Sequence, residues 1–361
     1  MKNNSPKKAK PNFTTSWNWK EIINPFFIPI SDYTRIGSYV ILWDGFDNDA
    51  IYDSTRFDNK KLKARLTAVK GSIQKIEELT FSTNRTEVNW VDVRIDKNTK
   101  RIDATLRVNL TDGGEEGLSS YIKPISQTYP ATEYITAYDW EKVPKGEIIK
   151  YGKELIKSRT RSFEDLEKLA IKGLNYHWGR NQNHAVAKDV KIFNESFEFY
   201  MNAINTKERA MDSVALVYNT NGDWMRSGNP GSVTPNPISW VGNLVSREAV
   251  CYNVGYIKYS NCWRYKISSN EDEEFKDTSA HEIGHEILKS YGGTVYSYGH
   301  KGTVNVVTQS MKKNAPEYSK NGEIDIMPYY PNRISVENLK RRIASERDVL
   351  SLVWFKKIEI K

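Results

Sequence analysis

The sequence predicts an α+β protein built from a small β-sandwich-like module followed by a larger α+β unit. Three observations carry this reading. Between residues 91 and 110 apolar and polar residues alternate, the period of a strand with one buried face. From about residue 146 onward apolar residues recur three and four apart, the period of a helix with one buried stripe. Between the two, residues 113–145 open with Gly113-Gly114-Glu115-Glu116-Gly117 and carry Pro124, Pro130 and Pro144, the composition of a connection.

The composition is compatible with this division. A chain of 361 residues suits two folded units with tails. It is 39% hydrophobic and 27% charged, enough apolar material for sizeable cores. No apolar run approaches the roughly 20 residues needed to cross a bilayer, and Phe26-Phe27-Ile28-Pro29-Ile30 is far too short. The N-terminal lysines are followed by no apolar stretch, so no secretory signal peptide is expected. The net charge of +8 is concentrated in the first ten residues and in a C-terminal cluster that includes Arg341 and Arg342. A basic surface can favour nucleic acid or anionic envelope polymers. With no recognisable nucleic-acid motif, these charges are read as solvated tails and helix faces.

Residues 1–15 are polar and rich in lysine, proline and asparagine, and are read as a flexible tail. Residues 16–112 form the β module. Val91, Val93 and Ile95 face Ile102, Ala104, Leu106, Val108 and Leu110 across Lys97-Asn98-Thr99-Lys100, a hairpin pattern. Residues 39–43 and 62–69 supply further short β-rich runs. In the unit 146–361, Ser162-Phe163-Glu164-Asp165 is a helix start, with Leu166, Leu169, Ala170 and Leu174 on the buried stripe. Residues 190–218 read as strands and 221–239 as a long loop. A second helix is expected from Asp277 or Thr278 to just before Gly292-Gly293. A last helix is expected over residues 336–354, with Leu339, Ile343, Leu350 and Val353 on one face. Cys251 and Cys262 lie on a hairpin-like stretch, so a disulfide and two free thiols are both open.

The residues that carry chemistry are His281-Glu282-Ile283-Gly284-His285. Four residues apart on a helix, His281 and His285 share one face about one turn apart, which suits two ligands of a tetrahedral zinc. Zinc lowers the pKa of a bound water to near 7, and a carboxylate at the Glu282 position can take its proton and return it to a leaving amine. Ala280, Ile283, Ile287 and Leu288 give this helix an apolar flank. Three of the five histidines, His281, His285 and His300, fall within twenty residues. For a third ligand the sequence offers His300, Glu323 and Asp325. His177 and His184 lie in an aromatic polar stretch and are read as structural or surface residues.

Beyond this motif, Tyr291-Gly292-Gly293, Tyr296-Ser297-Tyr298-Gly299-His300-Lys301-Gly302-Thr303, Gln309 and Gly322-Glu323-Ile324-Asp325-Ile326-Met327 resemble bacterial polymorphic-toxin metallopeptidases. In that family such domains are fused to the C-terminus of VgrG spike proteins of type VI secretion systems. Leu42-Trp43-Asp44-Gly45 and Trp90-Val91-Asp92-Val93 resemble the region that precedes the protease there. The resemblance implies a zincin-like metalloprotease domain, with zinc held by His281, His285 and Glu323. On that ligand set His300 is left to assist the transition state, with Tyr298 next in order. It further implies a protein or peptide substrate in a target bacterium, action in its periplasm, a cognate immunity protein and a secretion spike. This chain carries no spike, so a stand-alone cargo effector or an excised toxin is expected. Two alternatives stand beside this expectation: a peptidoglycan endopeptidase or amidase, and a non-enzymatic binding protein with a fortuitous motif.

Overall fold

The computed structural model describes residues 45–57, 60–85, 88–125, 133–192, 194–225, 227–228, 249–258, 262–292, 311–354 and 358–360. The expected tail 1–15, the run 39–43, most of the loop 221–239, and Tyr298 and His300 lie outside them. The architecture is α+β, built on one large mixed sheet.

The first strands in chain order are β1 (Ile51–Asp53), β2 (Lys60–Lys70), β3 (Ile73–Arg85), β4 (Val91–Asp96) and β5 (Arg101–Glu116). β4 and β5 form the expected hairpin, in register from Val91 opposite Leu106 to Asp96 opposite Arg101. Lys100 closes the turn in the left-handed region at φ 54°. Every second residue on the inward face, from Val91 to Ile95 and from Ile102 to Leu110, is buried. The run expected at 62–69 lies in β2, which pairs along its whole length with β3.

The next strands are β6 (Ser120–Pro124), β7 (Tyr134–Tyr138), β8 (Val190–Ile192), β9 (Glu195–Asn205), β10 (Ser213–Asp223), β11 (Ala249–Lys258) and β12 (Cys262–Tyr265). β6 and β7 pair with each other inside the segment expected to be a plain connection. β5 is the axis of the large sheet. It pairs in parallel with β9 over residues 101–108 and in parallel with β10 over 109–116. Where the β9 ladder ends, Asn205 substitutes for it: its Oδ1 accepts from Leu110 N at 2.7 Å and its Nδ2 donates to Leu110 O at 3.2 Å.

This sheet corrects the expected domain division. β1, β4 and β5 from the first segment share it with β9 to β12 from the second. Val91 and Leu106 belong to the same apolar core as Leu174, Ile283 and Leu352. Within the described residues, 16–112 therefore closes no sandwich of its own. The apolar face of β5 is covered by helices that come later in the chain instead of by a second sheet. The C-terminal strand Ile358–Ile360 likewise returns to pair with β3.

The covering helix Phe163–His177 begins as its sequence predicts. Ser162 Oγ accepts from Asp165 N at 3.2 Å, a cap that contributes about 1 kcal/mol. Leu166, Leu169, Ala170 and Leu174 are buried on its inner stripe. It crosses the long helix Ser268–Gly292 at Gly173, where an added Cβ would stand 2.3 Å from the carbonyl oxygen of Lys276. Only glycine permits that approach. The long helix starts well before the expected Asp277. Its first turns hold the acidic run Glu271 to Glu274, charges favoured near the positive end of the helix dipole.

The expected single helix over 336–354 is broken. A 3-10 turn, Val336–Arg341, leads into the two-residue strand Arg342–Ile343, and a helix resumes at Glu346–Trp354. The break arises because the backbone of 342–344 is used elsewhere: Ala344 N donates to His177 O at 2.7 Å and Arg342 pairs with Ile324. Both cysteines are free thiols, because Cys262 faces Lys258 across the β11–β12 ladder and Cys251 lies farther along β11. Among the described residues no helix is long and apolar enough to cross a membrane.

Two glycines make the crossing testable. Gly173→Ala forces the helices apart and is expected to lower stability by about 1–3 kcal/mol, the usual range for overpacking. Gly146 lies in the helix Lys145–Tyr151, and a methyl group added there would meet nothing within 4 Å. Gly146→Ala is expected to be neutral or to stabilise by up to about 1 kcal/mol, since alanine is the better helix former. Thermal melts should therefore show a lowered midpoint for Gly173→Ala and an unchanged or raised one for Gly146→Ala.

Candidate metal centre

The motif lies in the second half of the long helix, whose buried flank is Ala280, Ile283, Ile287 and Leu288. Gly284 faces the core between the two histidines. A Cβ there would lie 2.8 Å from the Trp178 ring and 2.9 Å from Met327 Sδ. Trp178 cannot yield, because it is fully buried and its Nε1 donates to Ala280 O at 3.0 Å. Met327 is thus a packing residue against the motif helix. The glycine of the motif, unfavourable in a helix by about 1 kcal/mol relative to alanine, is retained for this contact.

His281 and His285 are both buried, with ring centroids 4.9 Å apart and planes at 90°. Their Nε2 atoms face each other at 3.3 Å. His281 Nδ1 lies 2.8 Å from the carbonyl oxygen of Ile326. A carbonyl can only accept, so Nδ1 carries the proton and Nε2 presents a lone pair. The half-buried Glu282 completes a group whose potential ligand atoms all lie within 4.8 Å of one another. Among the described residues no other histidine, cysteine, aspartate or glutamate joins it.

The Ile326 carbonyl is itself held by a small framework. Ile324–Asp325 and Arg342–Ile343 form a two-stranded parallel ladder, extended by Ile326 N donating to Ile343 O at 2.9 Å. This brings the 323–327 segment over the motif helix. This placement does not bring Glu323, the expected third ligand, to the two histidines. Ile324 and Ile326 point into the core, so Glu323 points out. Its Oε1 accepts from Arg180 Nη2 at 2.7 Å, and it remains 41% exposed. Arg180 is in turn fixed by donating to the carbonyls of Asp189 and Ala344. Asp325 Oδ1 accepts from Met327 N at 3.0 Å, within its own turn.

A cleft of about 380 Å³ opens beside the motif, with Thr278, His281, Glu282, Tyr329, Tyr330 and Arg342 in its walls. Tyr329 lies nearly parallel to the His281 ring, centroids 6.3 Å apart. Burial pushes the Tyr330 phenol up to about 12, and its hydroxyl donates to Asp325 O at 3.2 Å. Sequence reasoning does not pick out Tyr329 or Arg342. Tyr329 follows Met327 by two residues, yet no spacing rule flags it. Arg342 belongs to a basic cluster that reads as solvated, whereas its side chain is 13% exposed.

His177 and His184 prove to be buried structural residues. His177 Nδ1 bonds to Arg342 O, and His184 Nδ1 accepts from the backbone N–H groups of Val186 and Ala187, both at 3.3 Å. Burial lowers both imidazoles from the ordinary 6.5, His184 to about 4. The unfolded chain therefore takes up protons that the folded chain excludes. Stability is expected to be full above pH 6.5 and to fall as the pH drops toward about 4. Urea melts across this range should show the fall, and His184→Asn, which keeps an acceptor for the two N–H groups, should make it shallower.

No protein-family model matches this chain, and no curated protein or solved structure does either.

Proposed function

We propose that this chain is a zinc-dependent metallopeptidase with a zincin-like centre on the long helix. The observation that carries the reading is the 3.3 Å separation of the His281 and His285 Nε2 atoms. Two zinc–nitrogen bonds of 2.0–2.1 Å at a tetrahedral angle place the nitrogens about 3.3 Å apart, so the two imidazoles fit the metal as they stand. The tautomer set by the Ile326 carbonyl supports it, because that hydrogen bond turns the ligating nitrogen of His281 toward the centre.

Zinc bound there supplies Lewis acidity and a water acidified to near neutral pH. The chain's own groups do the rest. Glu282, half-buried at the cleft wall, accepts a proton from the attacking water and delivers it to the departing amine nitrogen. His281 and His285 stay neutral as ligands. The cleft holds the peptide against Glu282, and Tyr329 is the described candidate to donate a hydrogen bond to the oxyanion that develops on the substrate carbonyl. The resemblance in sequence extends the proposal to an antibacterial effector delivered by a type VI or similar secretion system. It would act in the periplasm of the target cell and be restrained in the producer by an immunity protein. The net charge of +8 favours one second reading, an endopeptidase on the anionic cell-wall polymer.

Metal analysis of the purified chain tests the centre. One zinc per chain is expected, lost in His281→Ala and kept in Glu282→Gln and Glu323→Ala. Zinc loss in His300→Ala or Asp325→Ala would identify the third protein ligand. Peptide hydrolysis should fall by about 10²–10⁴-fold in Glu282→Gln with the metal retained, as for loss of a general base. Tyr329→Phe should lower kcat by up to about 10²–10³-fold with the metal content unchanged, as for a lost oxyanion donor. A native chain that takes up no zinc on reconstitution would reduce the motif to coincidence. Release of muropeptides from purified sacculi, with peptides left intact, would favour the cell-wall reading.

A further inference from the structure

We infer that Arg342 is a positioning residue for the two-histidine centre, acting through the Ile326 carbonyl; the inference rests on the zinc reading proposed above. Arg342 Nη2 donates to Ile326 O at 2.8 Å. The same oxygen receives the Nδ1 proton of His281 at 2.8 Å. A carbonyl has two lone pairs, and here both are engaged by donors of fixed direction. The other arm of the guanidinium, Nη1, pairs with Asp277 Oδ2. Asp277 lies four residues before His281, one turn away on the same face of the long helix. The fork therefore connects the helix that carries the ligand to the carbonyl that orients it. His281 is held from both ends of one short circuit: Asp277 to Arg342, Arg342 to Ile326, Ile326 back to His281.

Arginine suits this place for a geometric reason. Its planar fork reaches a carboxylate and a carbonyl at once, which the single ammonium of lysine does not do at fixed orientation. Stability alone accounts poorly for the arrangement. The side chains of Asp277 and Arg342 are 8% and 13% exposed, and a buried pair of this kind is weak as a source of net stability. Its selective value is specificity of position. The Arg342 backbone is anchored as well, through the ladder with Ile324 and the bond from His177 to its carbonyl oxygen. Arg342 also lines the cleft beside Glu282.

Arg341 supplies an internal control. It braces the residues that lead into the same segment, donating to Gly322 O at 2.8 Å and Ser319 O at 2.7 Å. None of its hydrogen bonds reaches Ile326. The experiment is a zinc titration of the full chain against a chelating indicator, for the native protein and for Arg342→Gln, Arg342→Lys and Arg341→Gln. Visible spectra of the cobalt-substituted proteins accompany it. Arg342→Gln and Arg342→Lys are expected to weaken zinc binding by about 10–100-fold, the range for loss of a group that orients a ligand, and to change the cobalt spectrum. Arg341→Gln is expected to keep zinc affinity within about threefold and leave the spectrum unaltered. Equal weakening in Arg341→Gln and Arg342→Gln would overturn the inference, since loosening of the segment would then suffice. Native affinity and spectrum in both Arg342 variants would overturn it too. A native chain that binds no zinc removes the zinc reading first and this inference with it, which distinguishes the two failures.

Discussion

The contact on which the rest depends is the crossing of two helices without a side chain between them. At Gly173 the backbone of one helix meets the backbone of the other at Lys276. That approach seats Trp178, just past the end of the first helix, against the second. There its indole N–H takes the Ala280 carbonyl and its ring fills the space left by Gly284. Ala280 and Gly284 bracket His281 on the helix, so the packing that fixes the helix also fixes the rotation at which its two imidazoles emerge. The core side is filled by Trp178 and Met327, while His281 and Glu282 line the cleft.

Around that crossing the chain assembles a second layer of control with few residues. The turn at His177 gives its carbonyl to Ala344 and its ring nitrogen to Arg342. Three residues past the helix end, Arg180 takes the Ala344 carbonyl and the Glu323 carboxylate. Both ends of the 323–344 excursion are thereby tied to one helix terminus. The Ile326 carbonyl lies inside this loop of contacts, which explains how a short two-residue ladder can hold the acceptor of the His281 ring in a defined place.

Much of the local structure is legible in the sequence. Alternation announces the β4–β5 hairpin, Ser162 announces its helix, and the spacing of His281 and His285 places both on one face. What is not legible is what depends on distant partners. Nothing in residues 101–116 shows that they pair in parallel with residues 198–219, because an alternating strand reads the same whether a sheet or a pair of helices covers it. The helical period across 336–354 is genuine, yet the ladder with Ile324 takes precedence at Arg342 and Ile343. Only the resemblance singles out Glu323, whereas its orientation follows from the pleat and from Arg180, a residue 143 positions earlier.

The pairing of β5 has a consequence for how the chain comes into being. Its parallel neighbours begin nearly a hundred residues downstream, at Glu195 and Ser213. During synthesis the strand leaves the ribosome with one antiparallel neighbour and a bare apolar face, and it waits for partners not yet translated. Loop closure over such a span has to precede the contacts that reward it, so folding is late and slow. A nascent or unfolded chain that stays open for that long is vulnerable to aggregation, and it is equally accessible to a chaperone or to machinery that handles unfolded substrates. The topology that builds the centre also delays it until almost the whole chain is present.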